Sequence, residues 1–457
     1  MTRFAPLLLP DRGQPAHAIE WIAATDNEAW LRGQTGVARA QLAAQRFAGK
    51  PGSHAILTDG SDAWRVVAVP PAESGPWVLA RLAETLPAGT YRVTGGGGDP
   101  LGWLLGQYRF DRYRKAEGEG PRVLLTGDVA RLEETLRIAS ATAWVRDLVN
   151  TPAGDLGPAE LEAEAEALGK RHGAAVTVRR GDELTQAYPM IHAVGRAAPR
   201  ERAPRLIELR WGDPDAPRLA IVGKGVCFDT GGLDLKPSAA MRLMKKDMGG
   251  AAHALALAEL IMAAAMPVRL HLLIPAVENA VSGDAFRPGD VLRSRAGLTV
   301  ENTNTDAEGR LILGDALTRA GEENPELILD FATLTGAARV ALGPDLPPLF
   351  SDDEALATDL LAAGTALGDP LWRLPLWDGY DEMLKSEVAD MVNAPDGGFA
   401  GAVTAALFLR RFVPKGTAWA HLDVFAWRPA SKPGRPKGGD AFGLRACYQV
   451  LKARYAG

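Results

Sequence analysis

Asn304-Thr-Asp-Ala-Glu-Gly-Arg310 runs directly into Leu311-Ile-Leu-Gly-Asp-Ala-Leu-Thr-Arg-Ala320. The second stretch has the apolar spacing of an amphipathic helix, so the first is a charged strip at a loop-to-helix junction, a common place for a site. Drawn as an extended segment, the strip sends Asp306, Glu308 and Arg310 to one face, because side chains alternate along a strand. A carboxylate pair without apolar cover is either solvated or holding a cation. Short acidic patches are usually solvated faces, so these residues alone leave both readings open.

A second cluster lies upstream. The apolar run Arg218 to Val222 reads as a buried strand and leads into Gly223-Lys-Gly-Val-Cys-Phe-Asp-Thr-Gly-Gly232. Lys224 and Asp229 then fall just past the strand end. Lys236 follows in Leu235-Lys-Pro-Ser238, and Asp247 in Met244-Lys-Lys-Asp-Met-Gly-Gly250, directly before a long apolar helix. Taken singly, each of these charges reads as a surface residue; together they form a set beside glycine-containing turns. The chain has no HExxH, no cysteine cluster and no histidine pair at ligand spacing, and its 7 histidines are scattered. That disfavours a histidine-bound zinc. The alternative is a pair of divalent ions on carboxylates, which can sit about 3.5–4 Å apart; Asp229, Asp247, Asp306 and Glu308 would balance their charge.

With these motifs in place, the chain resembles the leucyl aminopeptidase (cytosol aminopeptidase) family of two-metal exopeptidases. The matching stretches are VGKGVCFDTGG, LKPS, MKKDMGGAAHAL, NTDAEGRL and DFATLTGA, joined by AGAVTAALFLRRFV and WAHLDVFAW near the C-terminus. The resemblance covers residues 140–457 well and GQYRFDRY at 106–113 more faintly. It implies a metal-dependent aminopeptidase that removes N-terminal residues from peptides by attack of a water activated between two ions, zinc or manganese. By the same resemblance Lys224, Asp229, Asp247, Asp306 and Glu308 hold the metals. Asp229 and Glu308 bridge, Asp247 serves one ion and Asp306 the other. Lys224 would have to be neutral to bind metal, since an ammonium has no lone pair, and two adjacent cations would depress its pKa. Lys236 would stabilise the oxyanion, and Arg310 would hold a bicarbonate, to which a guanidinium is geometrically suited. Met244, Asn304, Thr333 and Gly336 would line the pocket for a leucine- or methionine-like first side chain. The family assembles as homohexamers whose active sites face an interior cavity.

Departures from the family pattern are Lys246, where many relatives carry an apolar residue, and Cys227, where Thr or Ile is common. Asn393-Ala-Pro-Asp-Gly-Gly398 also differs, which bears on the local pocket shape. A second lysine near the ions bears on metal preference. His421, inside Trp419-Ala-His-Leu-Asp423, reads as structural.

Composition narrows the classes. At 457 residues two domains are expected. A hydrophobic content of 47% and a charged content of 23% suit a globular protein, and a formal charge of −5 with no basic stripe argues against a nucleic-acid partner. The 2 cysteines cannot build a disulfide framework. The N-terminal MTRFAPLLLPDRG is too short and too broken by proline for a signal peptide, which suggests a cytoplasmic protein. Residues 249–268 approach membrane-spanning length, but His253, Glu259 and Pro267 make a buried helix the better reading.

Residues 1–127 alternate strand and helix signals, which predicts a small N-terminal α/β domain. Strands are expected at Trp64 to Pro70, Tyr91 to Thr94 and Arg122 to Thr126, and helices at Trp77 to Leu86 and Leu101 to Tyr113. Gly95 to Gly98 fails the spacing of a phosphate loop and reads as a flexible turn. Residues 128–156 hold a long helix, Asp128 to Val149, and a linker. Residues 157–457 form the catalytic domain. There the apolar runs Arg205 to Trp211, Arg218 to Val222, Arg269 to Pro275, Leu327 to Leu334 and Trp419 to Phe425 predict a mixed, largely parallel sheet, with helices on both faces. Ligands bind such sheets at the carboxyl ends of strands. Pro429 to Gly439 reads as a mobile basic surface loop. Two other functions share parts of this pattern: a two-metal phosphohydrolase, in which Lys236 and Arg310 grip phosphate, and a DNA-binding regulatory protein.

Overall fold

The computed structural model describes residues 2–58, 63–72, 75–95, 98–114 and 120–456. The chain divides into two compact units, Met1–Ala143 with Ala430–Lys437, and Trp144–Pro429 with Gly438–Gly457. The division falls inside one helix, Leu132–Asn150. That helix starts four residues later than its periodicity suggests, because Asp128 Oδ1 accepts from Arg131 N at 3.2 Å in the preceding turn.

The first unit carries a six-stranded sheet in the order Leu8–Pro10, Arg122–Thr126, Gly89–Thr94, His17–Trp21, Trp64–Ala68, His54–Thr58. All pairs are parallel except the last, where His54–Thr58 runs antiparallel to Trp64–Ala68. The helix expected over Leu101 to Tyr113 ends at Gly106. There Gln107 turns its amide onto the backbone of Arg122, donating to its carbonyl at 2.9 Å and accepting from its N–H at 3.0 Å. The helix expected from Trp77 begins at Ala80. Two residues of the expected Gly95–Gly98 turn, 96 and 97, lie outside the described residues. The basic segment near Pro429 is packed rather than loose. The Arg435 guanidinium covers the Trp77 ring at 4.5 Å, and Gly434 N donates to Glu84 Oε1 at 2.7 Å.

The second unit is built on a nine-stranded sheet. Its order is Trp372–Arg373, Pro348–Phe350, Ala418–Asp423, Leu327–Ala332, Arg218–Gly223, Arg269–Asn279, Arg205–Trp211, Ala175–Arg179, with Gly225–Asp229 also pairing Arg269–Asn279. The central pairs are parallel, and antiparallel pairs flank them on both sides. The central strands are apolar on both faces because helices cover both. One cover is Gly249–Ala263, in which nearly every side chain is buried. This is the segment of near-spanning length; among the described residues no helix is long and apolar enough to cross a membrane. His421 is structural, as expected, and is buried along with both cysteines. His421 Nδ1 bonds Asp330 Oδ1 at 2.5 Å, and burial pushes both thiols up.

Candidate active site

The carboxyl ends of the parallel strands deliver the site. Arg218–Gly223 ends just before Lys224, Gly225–Asp229 ends on Asp229, and Leu327–Ala332 ends just before Thr333. Lys224 and Asp229 do not share one turn after a single strand. The chain re-enters the sheet at Gly225 and pairs with Ala276 to Asn279, so a short strand separates the two residues. Asp247 sits in the 3-10 turn Met244–Met248 ahead of the apolar helix.

The strip Asn304–Arg310 is not extended. Asp306 N bonds Asn304 Oδ1 at 2.8 Å, Ala307 N bonds Asn304 O at 3.2 Å, and helix Glu308–Gly321 starts at once. Residues two apart on a helix diverge by roughly 200°. Glu308 therefore points to the cluster, while Arg310 turns away and donates from Nη1 to Asn393 O at 2.7 Å. The strip is bolted to the upstream loop: Thr305 N reaches Asp234 Oδ2 at 2.7 Å, and Thr305 Oγ1 reaches Gly231 O at 2.6 Å.

These segments meet in a cavity of about 270 Å³ lined by Lys224, Asp229, Lys236, Asp247, Asp306 and Glu308, with Met244, Lys246, Thr333 and Gly336 on its walls. Asp229, Asp306 and Glu308 each offer a carboxylate oxygen, all within 4.8 Å of one another. Lys224 Nζ stands 2.7 Å from Asp247 Oδ2 and 2.9 Å from Glu308 Oε1, and donates to Thr333 O at 2.9 Å. Lys236 Nζ lies 2.8 Å from Asp229 Oδ2 and also contacts Asp306. Of the residues expected to act, Asn304 and Arg310 are not among those lining the cavity. Asn304 is exposed at the start of the strip.

The electrostatics are those of crowded like charge. Burial and the Asp229 carboxylate push Glu308 up to about 8, and the same two causes push Asp306 up to about 6. Burial works against the charge of Lys224 and Lys236, but the surrounding carboxylates win and raise both. Lys246 has fewer anions near it, and burial pulls it down. Although the ammoniums are close, both Glu308 oxygens, Asp247 Oδ2 and Asp306 Oδ1 receive no well-aligned hydrogen bond among the described residues. Buried carboxylate oxygens normally have partners. Carboxylate oxygens from Asp229, Asp306 and Glu308 gathered within 4.8 Å of one another are the ligand type of a hard cation, so the cluster fits a divalent metal ion.

Sequence reasoning missed the groups that hold these ligands. Asn279 Nδ2 donates to Asp229 Oδ1 at 2.9 Å and to Thr305 O at 3.0 Å, tying both halves of the cluster. Thr333, read only as a substrate contact, donates to Asp247 Oδ1 at 2.8 Å. Asn393 Oδ1 accepts from Thr303 N at 2.8 Å and Asn393 Nδ2 donates to Asn304 O at 2.7 Å, which sets the course of the strip. Asp423 lines the cavity too, its carboxylate capping Leu334 N at 2.9 Å and Thr335 Oγ1 at 2.7 Å. The one signal for these was position: each polar residue follows or ends an apolar strand or loop.

Residues 143–448 match the model of the cytosol aminopeptidase family catalytic domain, and residues 18–126 that of the M17 aminopeptidase N-terminal domain. The chain belongs to the M17 cytosol aminopeptidase family. It is 42% identical over 369 residues to a probable cytosol aminopeptidase of Syntrophotalea carbinolica, covering 77% of this chain and 73% of that one. Among solved structures it is similar to the cytosol aminopeptidase of Coxiella burnetii, with TM-score 0.94 and 43% identity over 99% of this chain and 100% of the other. It is also similar to the bottromycin maturation enzyme BotP in complex with Mn, with TM-score 0.85 and 33% identity over 98% and 100% of the two chains. A tomato leucine aminopeptidase mutant gives TM-score 0.82 at 28% identity over 97% and 96%. Membership makes this M17 chain a metal-dependent aminopeptidase, a hydrolase acting on peptides.

Proposed function

We propose that this aminopeptidase binds two divalent ions, zinc or manganese, through Lys224, Asp229, Asp247, Asp306 and Glu308, and releases leucine-like residues from free N-termini. The observation that carries the reading is the set of unaligned carboxylate oxygens converging from separate segments on one cavity. When bound, such ions supply Lewis acidity and a water acidic enough to act as nucleophile near neutral pH. The rest is the work of this chain. The acidic cluster takes the peptide's amino terminus, which restricts cleavage to the first bond. Lys236 donates to the oxygen that becomes negative as the carbonyl is attacked. Thr333 and Asn279 fix the carboxylates they touch, as outer partners of metal ligands do. Met244, Thr333 and Gly336 receive the first side chain, with Met244 as the apolar floor, while Asn304 acts from outside the cavity by setting the turn into Asp306.

Arg310 is the proposed holder of a bicarbonate. Its Nε is buried without an acceptor among the described residues, and a bidentate anion suits it. The domains are taken as residues 1–127, a joining segment 128–156, and a catalytic domain 157–457. The assembly is taken as a homohexamer in the cytoplasm. Metal analysis paired with a panel of aminoacyl anilides and a phosphomonoester, with added Mn²⁺ or Zn²⁺, tests the reading. Hydrolysis of leucyl anilide with about two ions per subunit supports it; hydrolysis of the ester alone overturns it.

A further inference from the structure

We propose that Lys246 lets this enzyme take N-terminal residues whose side chains end in a carboxylate, aspartyl and glutamyl peptides, beside the leucine-like ones. The inference rests on the aminopeptidase reading of the cavity.

Lys246 lines the active-site cavity and is only 5% exposed. The other two lysines there are each embraced by carboxylates, Lys224 at 2.7 and 2.9 Å and Lys236 at 2.8 Å. Lys246 has one acceptor among the described residues, Asp247 Oδ1 at 3.4 Å, and that oxygen already accepts from Thr333 Oγ1 at 2.8 Å. It also lies over the π face of Phe425, with Nζ 5.5 Å from the ring centre, which accepts no conventional hydrogen bond. An ammonium has three donors, and a buried charge left short of partners is costly. The remaining carboxylate on that wall, Asp423, is spent on Leu334 N and on Thr335 N and Oγ1. A second cation strengthens the field: the Arg339 guanidinium lies 4.8 Å from the Phe425 ring centre and also lines the cavity.

The position is that of the first side chain. A peptide held by its amine and first carbonyl at Asp229, Asp306 and Glu308 keeps its first Cα in the same cavity, since the atoms involved are consecutive in the chain, and Asp247 and Lys246 both line that cavity. Lys246 is the next residue along the same wall. An aliphatic side chain there packs on Met244 and Phe425; a carboxylate gains a charge-assisted hydrogen bond to Lys246. Site groups that pair with a substrate's polar end discriminate strongly by it.

The test compares kcat/KM for glutamyl, aspartyl and leucyl p-nitroanilides in the metal-loaded wild type and in Lys246→Met, which keeps length and removes the charge. The glutamyl-to-leucyl ratio should fall at least about tenfold in Lys246→Met. It should stay within about threefold in Lys246→Arg, which keeps the charge and guards against a folding defect in the first variant. Calorimetry should show L-glutamate binding to the wild type, weakened relative to L-leucine in Lys246→Met. A wild type that cleaves leucyl anilide but neither acidic one overturns the inference, as does a ratio unmoved by Lys246→Met. A wild type that cleaves no anilide removes the aminopeptidase reading itself.

Discussion

The side chain of Lys224 lies along the bare backbone face of Gly309, so that a Cβ there would stand 2.6 Å from Lys224 Cε and 2.7 Å from its Nζ. The glycine inside Asn304–Arg310 is therefore a spacing element for a lysine in a different segment. It lets Lys224 reach Glu308 and Asp247 at the same time.

Gly309→Ala should displace the Lys224 amine from the cluster. The helix itself gains from the change, since Ala is the better helix former, so a loss of function cannot be blamed on local helix propensity. The expected result is a fall in kcat on the order of a hundredfold, with a far-ultraviolet spectrum like that of the wild type. Normal turnover with normal metal content would show that the lysine does not need this space.

Lys236→Ala separates transition-state stabilisation from metal binding. Lys236 contacts two of the proposed ligands, Asp229 and Asp306, yet its proposed role is to meet developing charge. Its removal should lower kcat by about two to three orders of magnitude and move KM far less. Metal per subunit, measured on the same preparation, should not change. Equal losses of metal and rate would reassign Lys236 to holding the ions.

The strand-end positions of the cluster were legible because apolar runs such as Arg218 to Val222 and Leu327 to Leu334 stop at charged or polar residues. The local path of the chain was not. Gly225–Asp229 is too short, and too close to the preceding strand, to stand out by periodicity. The onset of the helix at Glu308 depends on Asn304 bonding within its own turn, which alternation of charges conceals. Asn279 and Asn393 were missed for a plainer reason. Their partners, Asp229 and Arg310, lie 50 and 83 residues away, and no local pattern encodes a single long-range amide contact. Short edge strands such as Trp372–Arg373 carry no repeat long enough to read.

Thr333→Val tests whether the hydroxyl on Asp247 tunes the metal site. The substitution keeps the branched shape and removes the 2.8 Å donor to Asp247 Oδ1. Loss of such an outer partner should weaken metal affinity about 10–100-fold, read by titration against a chelator. Thr333→Ser should recover most of it. If Val binds metal as tightly as Thr, the hydroxyl serves the substrate pocket alone.

Glu208 gives a pH test remote from the cluster. It is fully buried on the strand Arg205–Trp211 and meets His271 at 2.9 Å, Arg210 at 2.9 Å and Arg319 at 3.3 Å. Burial alone would raise its carboxyl, but the bond from His271 and the two guanidiniums overcome this and hold it at about 2, against an ordinary 4.5. Between those values the unfolded chain binds more protons than the folded one, so stability rises with pH across that window. The contribution is complete above about pH 4.5 and is lost as pH falls toward 2. Glu208→Gln should destabilise the protein by about 2 kcal/mol at pH 7, because it removes the charged acceptor of a buried hydrogen bond from His271, while Arg210 and Arg319 keep Glu323 as a partner. Chemical denaturation at pH 7, 5, 4 and 3 should show the gap between variant and wild type constant at the two higher values and shrinking at the two lower. A gap that stays the same at pH 3 would mean the carboxylate's charge is not what the network uses.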